Sequence, residues 1–411
     1  MNKKIVALVI VILPLVLAGF PLLGLAAEQV VEYENDTFFL YEPEIPVYVP
    51  GRITGASLAV SSDAAILMDA DTGQVLYAKN PHQKRPIAST TKIMTALVAI
   101  ECGNLKDVVN VSPRAAAINE STIYLEPGEK LTLEELLYGA LLRSGNDACV
   151  AIAEHVAGRE DTFVGWMNFK AAKLGLKNTL FKNTNGLPNS DHLSTTYDLA
   201  VITRSALKNP VFNKVISTKS HVIRGPVGPR HLSNTNKMLW SYEGADGVKT
   251  GTTNAAGKCL VSSASRGSRR LIAVVLHSDN RWADSIRLLD YGFNGFESRI
   301  VAQKGDELAF VNVAEGVREK VPVGCSGDIV VTVPLYSGDP VEKIIKKEDK
   351  IAAPVLTGQV VGELLVLVDG VAVVQSNLVA NGNVEKLPLH RLVYKRIVNA
   401  ASLLQFPIPD P

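Results

Sequence analysis

Three short polar groups in the 411-residue chain combine residue types that could act on a substrate: Ser89-Thr90-Thr91-Lys92, Ser144-Gly145-Asn146 and Lys249-Thr250-Gly251. A serine hydroxyl is a weak nucleophile until something takes its proton. Three residues along a helix is just under one turn, so Lys92 falls on the same face as Ser89. The residues behind them, Ile93 to Ile100, are apolar on nearly every side and predict a buried helix. An ammonium at the head of such a helix is costly to desolvate, which lowers its pKa and suits it to accept a proton. The helix N-terminus adds free N–H groups that favour a developing oxyanion. Alone, the Ser-x-x-Lys spacing is short enough to recur by chance, with Ser89 a plain cap. Ser144-Gly145-Asn146 sits between two helices, where a hydroxyl and an amide can reach a cleft or merely make a turn. Lys249-Thr250-Gly251 precedes a strand pair. Its lysine and threonine suit a carboxylate, and Gly251 lacks the Cβ that would keep a peptide backbone away; a plain turn is the other reading.

The order of the three groups is more specific than any one of them. It resembles the trio of penicillin-binding proteins and class A β-lactamases. The middle group, Ser-Gly-Asn, is similar to that of low-molecular-mass penicillin-binding proteins, the serine-type D-Ala-D-Ala carboxypeptidase family. Further stretches carry the same resemblance over about residues 62 to 296: Ala65-Ile-Leu-Met-Asp-Ala70, Asp71-Thr-Gly, Ile87-Ala-Ser-Thr-Thr-Lys-Ile-Met-Thr-Ala-Leu97, Ser144-Gly-Asn-Asp-Ala148 and Asp246-Gly-Val-Lys-Thr-Gly251. Three positions depart from the family pattern. Asn185 precedes Gly186-Leu187 where many relatives have histidine, Thr252 follows the third group where some have histidine, and Asn234-Thr-Asn-Lys237 lacks an arginine.

The resemblance implies that Ser89 attacks the carbonyl between the two terminal D-alanines of a peptidoglycan stem peptide while Lys92 takes its proton. By the same resemblance, the N–H groups of Ser89 and Thr252 hold the oxyanion and Ser144 relays a proton to the leaving D-alanine. Asn146 holds the substrate amide near Lys92, and Lys249 and Thr250 bind the terminal carboxylate. Water hydrolyses the acyl-enzyme, and β-lactams acylate Ser89 as inhibitors; no metal or cofactor is implied. A muropeptide endopeptidase, a β-lactamase and a non-catalytic penicillin-binding wall protein are the alternatives. A class A β-lactamase needs a glutamate between the second and third groups, and the loop from Asn178 to Asp198 contains none. Neither His192 nor His231 lies in a motif, and both read as surface residues.

The elements that must position these residues follow from periodicity. A strand pair is expected at Ala64 to Met68 and Gln74 to Tyr77, around an Asp71-Thr-Gly73 turn. Helices are expected over Leu131 to Leu142, with Thr132 and Glu135 as a capping box, from Asn146 onward, and at 161–174, 196–207 and 282–293. Strands return at Lys258 to Ser265 and Leu271 to His277. Strands, then helices, then strands predict an α+β fold, an antiparallel sheet with helices on it. By the resemblance this is the penicillin-binding/β-lactamase-like transpeptidase fold. After Phe296 the chain turns rich in Val and Gly, with short apolar runs at Ile329 to Val333, Leu364 to Leu367 and Val371 to Val374, and predicts a small all-β domain.

The ends speak to location. Lys3 and Lys4 precede an apolar run that ends in small residues near Ala27, the pattern of a secretory signal. The expected organisation is therefore a signal at 1–27, an extended linker or strap at 28–61, a catalytic domain at 62–296, an all-β domain at 297–385 and an amphipathic tail at 386–411. In the tail, Leu389, Leu392, Val393, Ile397, Ala400 and Leu404 share a stripe that Arg391, Lys395 and Arg396 avoid, as expected of a helix lying on a membrane surface; packing on the β-domain is the alternative. The implied location is outside the cytoplasmic membrane, attached to its outer face. With 42 basic and 41 acidic residues the chain has no electrostatic reason to bind nucleic acid. Cys102, Cys149, Cys259 and Cys325 have no metal spacing and read as small buried residues; two disulfides in any of three pairings stay open.

Overall fold

The computed structural model describes residues 58–225, 228–335 and 341–403. The expected signal at 1–27 and most of the strap at 28–61 lie outside the described residues. The main sheet has five strands: β1 (Ala64–Asp69), β2 (Val75–Lys79), β3 (Ala245–Thr253), β4 (Gly257–Arg266) and β5 (Arg269–Ser278). They run antiparallel in the order β2-β1-β5-β4-β3, so the α+β expectation holds.

Alternation along the strands explains the layering. In β1, Ile66 and Met68 enter one core while Ala65 and Leu67 enter another; in β5, Ile272 and Val274 divide from Ala273 and Val275 in the same way. Side chains of a strand alternate between faces, so a strand apolar on both faces must be covered twice. The principal helices supply the cover: α1 (Lys92–Cys102), α2 (Leu133–Leu142), α3 (Asn146–Ala157), α4 (Glu160–Lys173) and α5 (Thr196–Leu207) build the first core, and α6 (Arg281–Gly295) closes the second. At the head of α2, Thr132 Oγ1 accepts from the Glu135 N–H at 3.2 Å while the Thr132 N–H donates to the Glu135 carboxylate at 2.8 Å, the expected capping box.

The described end of the strap, residues 58–61, is laid on the body. Leu58 and Val60 pack into the second core. The buried carboxylate of Asp284 in α6 accepts from the N–H groups of Ser61 and Ser62 and from the hydroxyls of Ser61 and Ser278, at 2.7–3.0 Å.

Past α6, the strand Phe296–Ala302 pairs with Ile329–Pro334. A six-stranded sheet follows, in the order Val341–Lys347, Val360–Val368, Val371–Ala380, Lys320–Cys325, Ala309–Ala314, Lys350–Ala352, with its own cores of valine and leucine. The link to the catalytic domain is polar and buried. Gln74 donates to the Thr332 carbonyl at 2.9 Å and accepts from its N–H at 2.6 Å, and the Thr332 hydroxyl donates to Asp69 at 3.0 Å. The tail forms a helix, Leu389–Leu403. Arg396 and Lys395 bond Glu315 and Glu319 of the β-domain at 2.7 and 2.8 Å, while Leu389 and Ile397 stay 77% and 60% exposed.

All four cysteines are free; Cys149, Cys259 and Cys325 are buried, but Cys102, at the end of α1, is exposed, contrary to the reading of all four as core. His192 is also corrected: it is buried, not on the surface. Its Nδ1 accepts the Lys182 N–H at 3.1 Å, which leaves the proton on Nε2, 2.8 Å from the Thr91 hydroxyl. Burial pushes its pKa down to about 4, so it is a neutral structural tie beneath the serine turn. His231 is exposed, as expected.

Candidate active site

Ser89 lies one step before the helix it was expected to open. Ala88–Thr91 form a 3-10 turn and α1 begins at Lys92. Ala88 holds a left-handed φ of 47°, a conformation that costs a non-glycine residue free energy and tends to persist at functional sites. The turn is stapled by its own threonines: Thr90 and Thr91 donate their hydroxyls to the carbonyls of Ile87 and Ala88 at 2.6 and 2.8 Å.

Lys92 is fully buried. Its Nζ makes three bonds, to Ser89 Oγ at 3.0 Å, Asn146 Oδ1 at 2.8 Å and the Asn185 carbonyl at 2.6 Å. Burial pushes its pKa down to about 8, against a weaker upward pull from Cys149, Asp147 and Glu120. The Cys149 thiol is itself pushed up to about 11 by burial, so it is neutral at pH 7. Lys92 therefore has a far larger deprotonated fraction near neutral pH than an ordinary lysine, and a hydroxyl within proton-transfer distance.

The second group converges on the same point. Ser144 ends the α2–α3 junction with a φ of 65°, and its Oγ is buried without a hydrogen-bond partner among the described residues. Such a hydroxyl is free to serve a bound substrate. Asn146 opens α3; besides accepting from Lys92, it donates its Nδ2 to the Asn119 carbonyl at 3.1 Å. Asp147 secures that neighbouring segment, its carboxylate accepting from the N–H groups of Ile123 and Leu125 at 3.1 Å.

The third group lies within β3, an edge strand of the sheet, not ahead of a strand pair as the sequence suggested. Two of its residues make contacts that the sequence did not suggest. A Cβ on Gly251 would come within 3.0 Å of the Ser89 nitrogen and 3.1 Å of the Ile87 carbonyl oxygen. The missing side chain thus makes room for the protein's own serine turn. Lys249 is only 1% exposed and donates to the Thr250 carbonyl at 2.9 Å. Burial holds its pKa well below the usual lysine value, and the nearby Lys92 charge adds to this. Thr250 pairs hydroxyls with Thr235 at 2.8 Å, and Thr252 donates to the Gly251 carbonyl at 2.8 Å.

Two contributions were not evident from the sequence. Arg281, at the start of α6, donates one guanidinium nitrogen to the Gly251 carbonyl and the Thr252 hydroxyl, both at 2.9 Å, and to the Cys259 carbonyl at 3.2 Å. It is a half-exposed cation beside the third group, and no local spacing links it to residues thirty positions away. The loop carrying Asn183 to Gly186 is the other. Its Asn185 carbonyl holds Lys92, and the Thr95 hydroxyl donates to the Thr184 carbonyl at 2.6 Å. Gly186, at φ 87°, lies so close that a Cβ would stand 1.9 Å from the Ala88 carbonyl oxygen. Because residue 185 serves Lys92 through its backbone, asparagine in place of a family histidine leaves that bond intact. Next to this loop a pocket of about 280 Å³ opens between Pro86–Ala88, Leu187–Ser190 and Thr253.

Residues 52–280 match the family described as D-alanyl-D-alanine carboxypeptidase, and residues 296–386 match the C-terminal domain of penicillin-binding protein 5. The D-alanyl-D-alanine carboxypeptidase DacF of Bacillus subtilis is 38% identical over 341 residues, covering 80% of this chain and 88% of the relative. DacA of Escherichia coli is 34% identical over 337 residues, covering 78% of this chain and 83% of its own. The crystal structure of penicillin-binding protein 5 from Haemophilus influenzae superposes with a TM-score of 0.72 at 30% identity, covering 81% of this chain and all of that one. With its nucleophile, buried amine and edge strand assembled in one cleft, this chain belongs to the D-alanyl-D-alanine carboxypeptidase family, the low-molecular-mass penicillin-binding serine hydrolases.

Proposed function

We propose that this carboxypeptidase removes the terminal D-alanine from peptidoglycan stem peptides through an acyl-enzyme on Ser89, and that Lys92 is the base. The reading rests on one observation: a buried amine, with its pKa lowered to about 8, sits 3.0 Å from the Ser89 hydroxyl. Lys92 takes the Ser89 proton as Oγ adds to the carbonyl carbon. The N–H groups of Ser89 and Thr252 receive the oxyanion, which asks most of them at the transition state. The Ser144 hydroxyl passes a proton to the departing amine. Asn146 orients the substrate amide. Thr250, with Arg281 beside it and the Lys249 amine behind, binds the terminal carboxylate. Water then cleaves the Ser89 ester, and a β-lactam, lacking a leaving group that departs, blocks the site.

The chain is further proposed to act outside the cytoplasmic membrane. Its tail helix supports attachment to the membrane surface: acidic residues of the β-domain hold its basic side while the apolar residues Leu389, Val393 and Ile397 stay exposed. No helix among the described residues is long and apolar enough to cross a membrane, and an interfacial helix needs no crossing.

Purified protein should release D-alanine from a peptide ending in D-Ala-D-Ala and take up fluorescent penicillin. Ser89→Ala should lose both, and labelling that persists in this variant would refute the assignment. Deleting residues 386–411 should abolish flotation with anionic vesicles without loss of D-alanine release; unchanged flotation would refute the membrane contact.

A further inference from the structure

The segment leading into Tyr124 passes directly beside the reacting groups. Asn146 bonds it twice, its Nδ2 donating to the Asn119 carbonyl at 3.1 Å and its backbone N–H to the Ser121 carbonyl at 2.7 Å. The residue between those two carbonyls is Glu120. The same Asn146 accepts from Lys92 at 2.8 Å, so Glu120 is joined to the catalytic amine through a single side chain.

Glu120 is exposed, and its carboxylate makes no hydrogen bond or ion pair among the described residues. Its backbone is left-handed, with φ 72°, a conformation unfavourable for a residue with a Cβ. The two bonds from Asn146 hold the backbone on either side of it. A carboxylate whose backbone is held at the rim of a reactive cleft, and which is left without a cation, is a receptor for a positive charge on the substrate. The charge also pulls upward on the pKa of Lys92, against the desolvation that dominates there. Pairing it with a substrate cation would relieve that pull just when the neutral amine is needed.

The geometry of the substrate narrows which charge this is. By the carboxypeptidase reading the terminal carboxylate belongs with Thr250 of β3 and with Arg281 at the start of α6, and both D-alanine side chains are methyl groups. The first side chain able to carry a cation is that of the residue ahead of the two D-alanines, on the acyl side of Ser89. We propose that Glu120 is a specificity-determining residue whose carboxylate receives an ammonium group on that side chain. This rests on the carboxypeptidase reading and names a preference within it.

The test compares two peptides, Nα-acetyl-lysyl-D-Ala-D-Ala with its ε-amine free and the same peptide with that amine acetylated. The wild-type protein, Glu120→Gln and Glu120→Lys are each assayed for D-alanine release. A partly exposed ion pair supports a two- to five-fold preference in kcat/KM, roughly. The wild-type protein should favour the free amine by about that factor at low ionic strength, and less at high salt. In Glu120→Gln the ratio should fall to about one, and Glu120→Lys should favour the acetylated peptide. Fluorescent penicillin uptake shows that each variant is folded. A wild-type ratio of one, or a ratio that survives in Glu120→Gln, overturns the inference alone, as does a loss in Glu120→Gln that is equal for both peptides. Release from neither peptide by the wild-type protein overturns the carboxypeptidase reading as well.

Discussion

Lys92→Arg, set against the pH profile of the unaltered protein, tests the base directly. At the usual lysine pKa of 10.5, about one amine in 3,000 is neutral at pH 7; with the value pushed down to about 8, roughly one in eleven is. Burial alone thus multiplies the population of competent base by about 300. The second-order rate of penicillin uptake by Ser89 should rise about tenfold per pH unit from pH 6, bend near 8 and then level. An arginine never gives up its proton in this range, so Lys92→Arg should lose at least about a thousandfold, within the reach of general-base catalysis. A flat profile between pH 6 and 8, a bend near 10, or an arginine variant within tenfold of the parent would refute this reasoning. A linked effect has a definite sign. The folded pKa lies below the unfolded one, so between about 8 and 10.5 the folded state holds fewer protons and Lys92 adds stability as pH rises. At pH 7 the charged, buried amine costs about 3 kcal/mol, within the marginal stability of a domain.

Three further outcomes follow from the same geometry. Gly186→Ala should lower acylation by about tenfold or more, since a Cβ 1.9 Å from the Ala88 carbonyl oxygen must push away the loop whose Asn185 carbonyl holds Lys92; stopped-flow penicillin labelling would show it, and an unchanged rate would mean the loop can shift freely. Asp147→Ala should destabilise the catalytic domain by about 2–5 kcal/mol in urea unfolding, because the buried N–H groups of Ile123 and Leu125 lose their acceptor. Asp284 is held below 3.8: burial raises its pKa, but bonds from Ser278, Ser61 and Ser62 outweigh that. Its contribution is therefore complete above about pH 4 and lost below it. Hydrogen exchange at the Ser61 and Ser62 amides should accelerate as pH falls below 4 beyond its intrinsic change, and should already be fast at pH 7 in Asp284→Ala.

The parts of the fold that declare themselves in the chain are those where one residue type repeats at one period. The apolar run of α1, the capping box of α2 and the valine-rich strands after Phe296 are all of this kind. β3 was hidden because it is an edge strand carrying Asp246, Lys249, Thr250 and Thr252, with none of the alternation that marks a half-buried strand. The hairpin of Ser220–Gly225 and Gly228–Ser233 was masked in the same way by its arginines, its proline and its glycines. In the site, Ser89, Lys92, Ser144 and Asn146 are legible because their motifs are local. Arg281, Asn185 and Glu120 are not, since each acquires its role from a neighbour distant in sequence. Gly251 was legible as a glycine that something approaches; only coordinates could show that the visitor is the Ser89 turn.

The amide of Gln74 meets Thr332 with a donor and an acceptor at once, as a neighbouring strand would, and the Thr332 hydroxyl reaches on to Asp69. Two bonds in parallel resist twisting where one would act as a swivel. A pull on the tail helix would therefore be carried through the β-domain and its Ile329–Pro334 strand to the turn at the end of β1 rather than spent at a loose joint. The cleft lies along β3, at the edge of the main sheet far from β2, so an anchored molecule would present it in a steady orientation, turning as one with whatever surface holds the tail.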